Sequence, residues 1–155
     1  MTDDGFWWLI GLGVLILLLA GGAVVYETRG IRNNNPGNIR SGSADWEGMS
    51  PTQSDPSFVQ FTSPEYGIRA MAVILNTYMN NYGLDTVSSI INRWAPPSEN
   101  DTAAYISDVA GQMGVDPNQP LDQSNMPALV SAIITHENGF NPYTSAQIDQ
   151  GVALA

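Results

Sequence analysis

The feature that most constrains this chain is an uninterrupted apolar segment near its N-terminus. Residues Phe6 to Tyr26 contain no charged side chain, whereas the rest of the sequence has the polar composition of a water-soluble domain. As a helix, the segment would be about 31 Å long, which matches a hydrocarbon core of roughly 30 Å. Trp7, Trp8 and Tyr26 near its ends suit the headgroup level. The sequence therefore predicts a single transmembrane helix.

A cleaved secretory signal is the alternative interpretation of the same segment. The small residues at positions 21–23 could form a cleavage site, but Asp3 and Asp4 stand where a signal peptide needs positive charge. We therefore expect a tail and a retained transmembrane helix in residues 1–26, with one globular domain in residues 27–155. Arginines after the anchor would place that domain on the cytoplasmic side, which conflicts with a function outside the cytoplasm.

The composition excludes several classes of function. Fifteen Asp and Glu residues stand against five basic residues, all of them arginine, and the net charge is −10. We expect no nucleic-acid partner, because such binding needs basic side chains to neutralise phosphate. The chain has no cysteine and a single histidine, His136. We therefore expect neither a metal site nor a cofactor.

Periodicity and capping signals predict a mainly α domain. Turn-forming residues dominate positions 28–63, where we expect irregular structure with a β-hairpin and a short strand at Phe58–Phe61. Helical spacing of apolar residues follows. The predicted helices begin near Thr62–Glu65, Asp85, Asn100–Thr102, Pro127 and Ser145, and the first four end at Gly83, Pro96, Gly114 and Gly139.

Glu137 is the first candidate for chemistry. It falls in the last turn of a predicted helix, where the helix dipole disfavours a negative charge. A carboxyl group kept neutral in this way can protonate the leaving oxygen of a glycosidic bond. The alternative is an exposed glutamate that tolerates a small electrostatic penalty.

A resemblance to a known class of enzymes supports the first interpretation. The segment Ala132-Ile-Ile-Thr-His-Glu-Asn-Gly-Phe-Asn-Pro142 resembles the catalytic helix end of soluble lytic transglycosylases and goose-type lysozymes. Their pattern is an apolar helix, then Glu-Ser-Gly or a relative, then an Asn-Pro turn, and Asn138 stands where they usually have serine. The resemblance implies a small lysozyme-like α(+β) domain with Glu137 as the catalytic acid.

Residues from Arg29 to the C-terminus also resemble a group of phage-encoded virion proteins. The recurring segments are Arg29 to Ile39, Tyr66 to Ala70, Arg93 to Thr102, and His136 to Gly139. This resemblance implies a location in the virion, at an internal membrane, or in the host cell envelope. It also implies peptidoglycan glycan strands and capsid or other virion membrane proteins as partners. The apolar segment at residues 6–26 adds the lipid bilayer as a partner.

The order of the motifs differs from that of lytic transglycosylases. In those enzymes the catalytic glutamate opens the domain and a glutamine-bearing segment follows it, whereas here Gln60 precedes Glu137. Either the domain is a circular permutation of the lysozyme-like fold, or the resemblance is local. Glu99, before a predicted helix N-terminus, is the second candidate acid, and Glu47, in the turn-rich region, is the third.

Amide and aromatic side chains are the candidate ligands for sugar. Amides can bind hydroxyl and acetamido groups, and aromatic rings can stack on sugar faces. The Asn residues from 33 to 38 have the alternative role of forming turns. The candidates are Gln60, Asn35, Asn138, Tyr105 and Tyr143.

Two functions follow from these features. The first is a membrane-anchored, virion-associated lytic transglycosylase or muramidase that cleaves the bond between N-acetylmuramic acid and N-acetylglucosamine when phage genome delivery begins. The second is a non-enzymatic minor virion membrane protein that links the viral membrane to the capsid. A groove containing Glu137, Gln60 and an aromatic ring would favour the enzyme. A carboxylate capped by hydrogen bonds in a filled core would favour the structural protein.

Overall fold

A computed structural model describes residues 27–155, and the predicted transmembrane helix at residues 6–26 lies outside the described residues. Six α-helices and one 3₁₀ turn, Gln123–Asn125, follow one another in this part of the chain. The helices are α1 (Arg29–Arg32), α2 (Pro64–Tyr82), α3 (Val87–Trp94), α4 (Thr102–Met113), α5 (Met126–Asn138) and α6 (Ser145–Ala153). None of these helices combines the length and the apolar character that crossing a bilayer requires.

The mainly α prediction is confirmed, but the predicted fold class is wrong in its α(+β) lysozyme-like architecture and in its hairpin. Between residues 28 and 63 the only backbone pairings that resemble a sheet are two isolated bridges, Arg40 with Phe58 and Met49 with Phe61. The structure of residues 27–155 therefore contains helices and one irregular segment, residues 28–63, within which α1 is the only helix. These described residues contain no strand and no membrane-spanning helix.

Near the predicted strand at Phe58–Phe61, backbone N–H groups donate to side chains and not to a partner strand. The Gln60 carboxamide oxygen accepts from the backbone N–H groups of Ser54 and Asp55, at 2.6 and 3.1 Å. The Asp55 carboxylate accepts from the N–H groups of Ser57 and Phe58, at 3.0 and 3.1 Å. Polar side chains that bond the local backbone compete with regular secondary structure, and here they replace the predicted hairpin.

The helix ends follow the capping signals of the sequence closely. The Thr86 and Thr144 side chains cap α3 and α6 in reciprocal capping boxes, one residue from the predicted Asp85 and Ser145. The predicted glycine stops of α2, α4 and α5 are all confirmed. Gly139 ends α5 at φ +76°, a left-handed conformation that favours glycine, and it turns the chain away directly after Glu137.

The core lies between α2, α5 and the helices that pack on them. Helix α6 packs on α2, while α4 packs on α5 and also on α3. Helix α6 comes so close to α2 that a Cβ at Gly151 would lie 2.5 Å from Ile68 Cγ2. The largest fully buried apolar side chains are Ile68, Met71, Leu75, Ile90, Ile91, Met126, Leu129, Ile133 and Ile134.

The irregular segment is organised by one buried ion pair. The Asp55 carboxylate, only 6% exposed, accepts from Arg29 Nε at 2.7 Å and from Arg29 Nη2 at 2.6 Å. Asn33 donates to the same carboxylate at 2.8 Å. These donors, chiefly Arg29, hold the pKa of Asp55 well below its usual range. The carboxylate thereby joins α1 to the residue 54–58 turn.

We expect Asp55→Asn to lower the free energy of unfolding by about 1.5–3 kcal/mol, because it weakens the charge-assisted hydrogen bonds to a carboxylate that is 6% exposed, whereas Arg29 is 40% exposed and stays partly solvated. Since the folded pKa is depressed, this stabilisation is complete above the unfolded-state pKa of about 4 and is lost as the pH falls below it. Urea unfolding at a series of pH values measures both effects. Asp45→Asn, at an exposed carboxylate, is the control and should change little. Equal stability of wild type and Asp55→Asn at neutral pH would contradict the role assigned to the pair.

Candidate functional site

The position of Glu137 is fixed by its neighbour in the chain, Asn138. The Asn138 side chain is 6% exposed, and its carboxamide oxygen accepts from the Thr28 hydroxyl. Its amide donates to the carbonyl oxygens of Pro36 at 2.8 Å and Ile134 at 2.9 Å. These bonds seat the C-terminal end of α5 against the start of the irregular segment, and Glu137 lies half-buried at that joint.

Three donors converge on the Glu137 carboxylate. Tyr105 on α4 donates its hydroxyl to Oε1 at 2.7 Å, and the Trp94 indole on α3 donates to the same oxygen at 3.4 Å. Asn38 in the irregular segment donates its amide to Oε2 at 3.0 Å. We call these four residues, Glu137, Asn38, Trp94 and Tyr105, the Glu137 cluster. It confirms that Glu137 lies at a helix end and places it among side chains from three other segments.

Tyr105 acts as a permanent donor in the Glu137 cluster. Its side chain is only 3% exposed. Burial, and then the negative charge of Glu137, raise the pKa of Tyr105 well above its usual value. The hydroxyl therefore keeps its proton at neutral pH and directs it at Oε1.

His136 and Asp108 support Tyr105 from the opposite side of its ring. The His136 imidazole stacks on Tyr105 with ring centroids 3.6 Å apart and planes 22° from parallel. His136 Nδ1 lies 2.6 Å from a carboxylate oxygen of Asp108. Burial raises the pKa of Asp108, but hydrogen bonds from His136 and Gln112 outweigh it and leave the pKa below its usual value. No spacing rule connects His136 with Tyr105 and Asp108, so this indirect contact was not predictable from the sequence.

The second and third candidate acids occupy different surroundings. Glu99 pairs with Arg40 at 3.5 Å, and both side chains are about half exposed, 51% and 53%. Arg40 follows Asn38 by two residues in the chain, but neither Arg40 nor Glu99 bonds to Glu137. Glu47 pairs with Arg69 on α2 at 2.8 Å, and Arg69 also donates to the Leu154 carbonyl at 3.0 Å. Glu47 therefore belongs to the α2–α6 face and not to the Glu137 cluster.

Two of the predicted sugar ligands, Asn35 and Asn138, are buried and bonded within the fold. The Asn35 amide donates to the carbonyl oxygens of Ile39 and Val59, at 2.9 and 2.8 Å, and its oxygen accepts from the Ile39 N–H. Asn138 makes the bonds described above. In each carboxamide the oxygen and both amide hydrogens are bonded within the fold, and the side chain is buried, so we assign both a structural role.

The other predicted ligands divide between the Glu137 cluster and remote positions. Tyr105 is in the cluster, whereas Gln60 bonds only to residues of the irregular segment, including Asn33 at 3.2 Å. Tyr143 is partly buried, and its hydroxyl has no hydrogen-bond partner among residues 27–155. Burial, followed by the charges of Glu65 and Glu27, raises the pKa of Tyr143 to about 12. The predicted combination of Glu137 with Gln60 therefore does not form.

Sequence reasoning missed two members of the Glu137 cluster. Asn38 belongs to the Asn-rich run for which turn formation is the alternative to sugar binding, and its left-handed backbone, φ +50°, is that of a turn. Trp94 has the helical spacing of a core residue. Its ring is half-buried against the core, and its indole N–H reaches Glu137.

Metal ligation does not explain the site. Among residues 27–155, no three histidine, aspartate or glutamate side chains come together as a set that could hold a metal ion. The partners of Glu137 are all neutral donors of hydrogen bonds. The arrangement can hold a carboxyl group in a fixed orientation at a half-exposed position. Its ionised form can accept a hydrogen bond from a hydroxyl group, and its protonated form can donate one to an ether oxygen.

Comparison with known proteins gives one informative similarity. No protein-family model matches the sequence. The chain is 51% identical over 126 residues to "Protein P5" of Pseudoalteromonas phage PM2, and the matched region covers 79% of each chain.

We expect Tyr105→Phe to lower the free energy of unfolding by about 1.5–3 kcal/mol, the usual contribution of a hydrogen bond to a charged group. The substitution removes only the hydroxyl that donates to Glu137 and keeps the ring that stacks on His136. Tyr82→Phe, at a ring that is 55% exposed, is the matched control and should change stability by about 0.5 kcal/mol or less. Equal effects of the two substitutions in denaturant unfolding would show that the Tyr105–Glu137 bond does not stabilise the fold.

Proposed function

The chain belongs to the same family as Protein P5 of phage PM2, and on that premise we propose that it is a virion-associated enzyme that cleaves the glycan strands of peptidoglycan. It would open the cell wall locally when genome delivery begins. The observation that carries the proposal is the Glu137 cluster, in which three donors from distant segments fix one half-exposed carboxylate.

The location of the carboxylate supports a functional role. A negative charge in the last turn of a helix faces the partial negative charge of the free carbonyl groups, which costs about 0.3–1 kcal/mol. The fold nevertheless brings Tyr105, Trp94 and Asn38 to this carboxylate. A carboxyl group that side chains from three other segments position at a partly exposed place is a candidate for a functional site.

In the proposed reaction Glu137, in its protonated form, gives its proton to the glycosidic oxygen as the bond from that oxygen to C1 of the muramic residue breaks. The resulting carboxylate then takes the proton of the 6-hydroxyl of the same muramic residue, while the oxygen of that hydroxyl forms a new bond to C1. The product is a 1,6-anhydro end, and the carboxyl group is protonated again. No water enters the reaction.

The surroundings of Glu137 favour this scheme over hydrolysis by two carboxylates. The carboxylates of the other two candidate acids, Glu99 and Glu47, are paired with Arg40 and Arg69 and make no contact with Glu137. A scheme that needs only one carboxylate therefore suits the site better. The 3.4 Å contact from Trp94 is the longest in the Glu137 cluster, and we assign it as the bond that the substrate oxygen displaces.

A second candidate function is that of a non-enzymatic structural protein of the virion. The observation that favours it is that both oxygens of the Glu137 carboxylate already accept hydrogen bonds from the protein. In that role Glu137 would tie α3, α4 and α5 to the irregular segment and would have no substrate.

The decisive comparison is between wild type and Glu137→Gln on purified peptidoglycan in a zymogram. The amide keeps the shape of the side chain but has no proton to transfer, so we expect the activity to fall by about 10²–10⁴-fold. Glu99→Gln and Glu47→Gln are the controls, and we expect each to retain more activity than Glu137→Gln. An active Glu137→Gln together with an inactive Glu99→Gln would show that Glu137 is not the acid.

Unfolding measurements on the same variants separate the two functions. The loss of charge-assisted hydrogen bonds should lower the stability of Glu137→Gln by about 1–2 kcal/mol, partly offset by relief from the helix dipole. A destabilised Glu137→Gln beside an inactive wild type would support the structural function. An active wild type with a folded, inactive Glu137→Gln supports the enzyme.

A further inference from the structure

A polar cleft of about 460 Å³ lies on the irregular segment, apart from the Glu137 cluster. Arg29 and Arg32 of α1, with Asn33 directly after it, form one side of the cleft. Residues 54–56 and Gln60 form the other side. We call it the Arg32 cleft.

Most of the polar groups around the Arg32 cleft are bonded to one another. Asp55 holds Arg29 and Asn33, as described above. The Gln60 carboxamide accepts from Ser54 through both its backbone N–H and its hydroxyl, and donates to Asn33. These side chains form a closed network that fixes the walls of the cleft and leaves few of their own groups for a ligand.

Arg32 also lines the cleft, but its side chain is not part of this network. Its side chain is exposed, and it makes no hydrogen bond, ion pair or ring contact with residues 27–155. The other arginines all have partners. Arg29 pairs with Asp55, Arg40 with Glu99 and Arg69 with Glu47, while Arg93 lies over the rings of Tyr78 and Tyr82.

The absence of a partner for Arg32 is informative because carboxylates are abundant in this chain, whose net charge is −10. Around the cleft, two guanidinium groups stand against the single carboxylate of Asp55. The cleft therefore carries a local positive charge on a protein that is otherwise strongly acidic. A free cation in a concave site of fixed shape attracts a ligand of opposite charge.

We propose that the Arg32 cleft binds an oxyanion, namely the carboxylate or phosphate group of a small polar ligand. A guanidinium group presents its N–H donors in a planar fork that matches two oxygens of such a group, and Arg29 already binds the Asp55 carboxylate in this way. Arg32 supplies the fork for the ligand, and the Asp55–Gln60 network holds the wall against which the ligand lies. This site is independent of the reaction assigned to Glu137.

The test is a titration of the full-length chain with sodium phosphate and, separately, with sodium acetate, at ionic strength held constant with sodium chloride. Amide signals of residues 32, 33 and 54 are followed by NMR. We expect saturable shifts, and in Arg32→Gln an apparent affinity at least about tenfold weaker. Arg32→Lys keeps the charge but loses the fork, so its affinity for the anion should lie between those of wild type and Arg32→Gln.

Arg93→Gln is the matched control, because it removes the same charge from an exposed arginine outside the cleft. It should bind the anion as wild type does. Tighter binding of phosphate identifies a phosphate ligand, and tighter binding of acetate identifies a carboxylate ligand. Shifts that do not saturate in wild type, or equal binding by wild type and Arg32→Gln, would overturn the proposal.

Discussion

The buried carboxamide of Asn138 is the contact on which the rest of the arrangement depends. It joins the end of α5 to Thr28 and Pro36, and its oxygen and both of its amide hydrogens are bonded within the fold. A buried amide without partners would be destabilising, so this joint is favourable only in one geometry. Gly30 makes room for it, because a Cβ there would lie 2.8 Å from the Asn138 carboxamide oxygen. The same geometry brings Asn38 within reach of Glu137.

In the irregular segment, hydrogen bonds from polar side chains fix the backbone, as hydrogen bonds between strands do in a sheet. Asn35, fully buried, bonds the backbone of Ile39 and Val59, and Asp55 and Gln60 bond the backbone of residues 54–58. Such bonds fix the backbone at single residues and do not follow a regular repeat along the chain. The segment can therefore keep an individual shape at each residue, and it contributes to both the Glu137 cluster and the Arg32 cleft.

The helices could be predicted from the sequence because their signals are local. Apolar spacing, the threonine caps and Gly139 act within a few residues of one another, so the end of α5 and the position of Glu137 were predictable. The partners of Glu137 come from positions 38, 94 and 105, and no spacing rule connects these positions. The predicted strand was wrong because periodicity does not reveal which backbone donors a carboxamide such as that of Gln60 will occupy.

The bond between Thr28 and Asn138 spans 110 residues. During synthesis the Asn-rich segment is made early, but its partner on α5 is added only after most of the helical domain. Contacts of such long range close late, since the chain must first lose the entropy of a large loop. Glu137 and Asn38 can therefore meet only after α5 has been made. A chain that is interrupted before α5 carries no assembled Glu137 cluster.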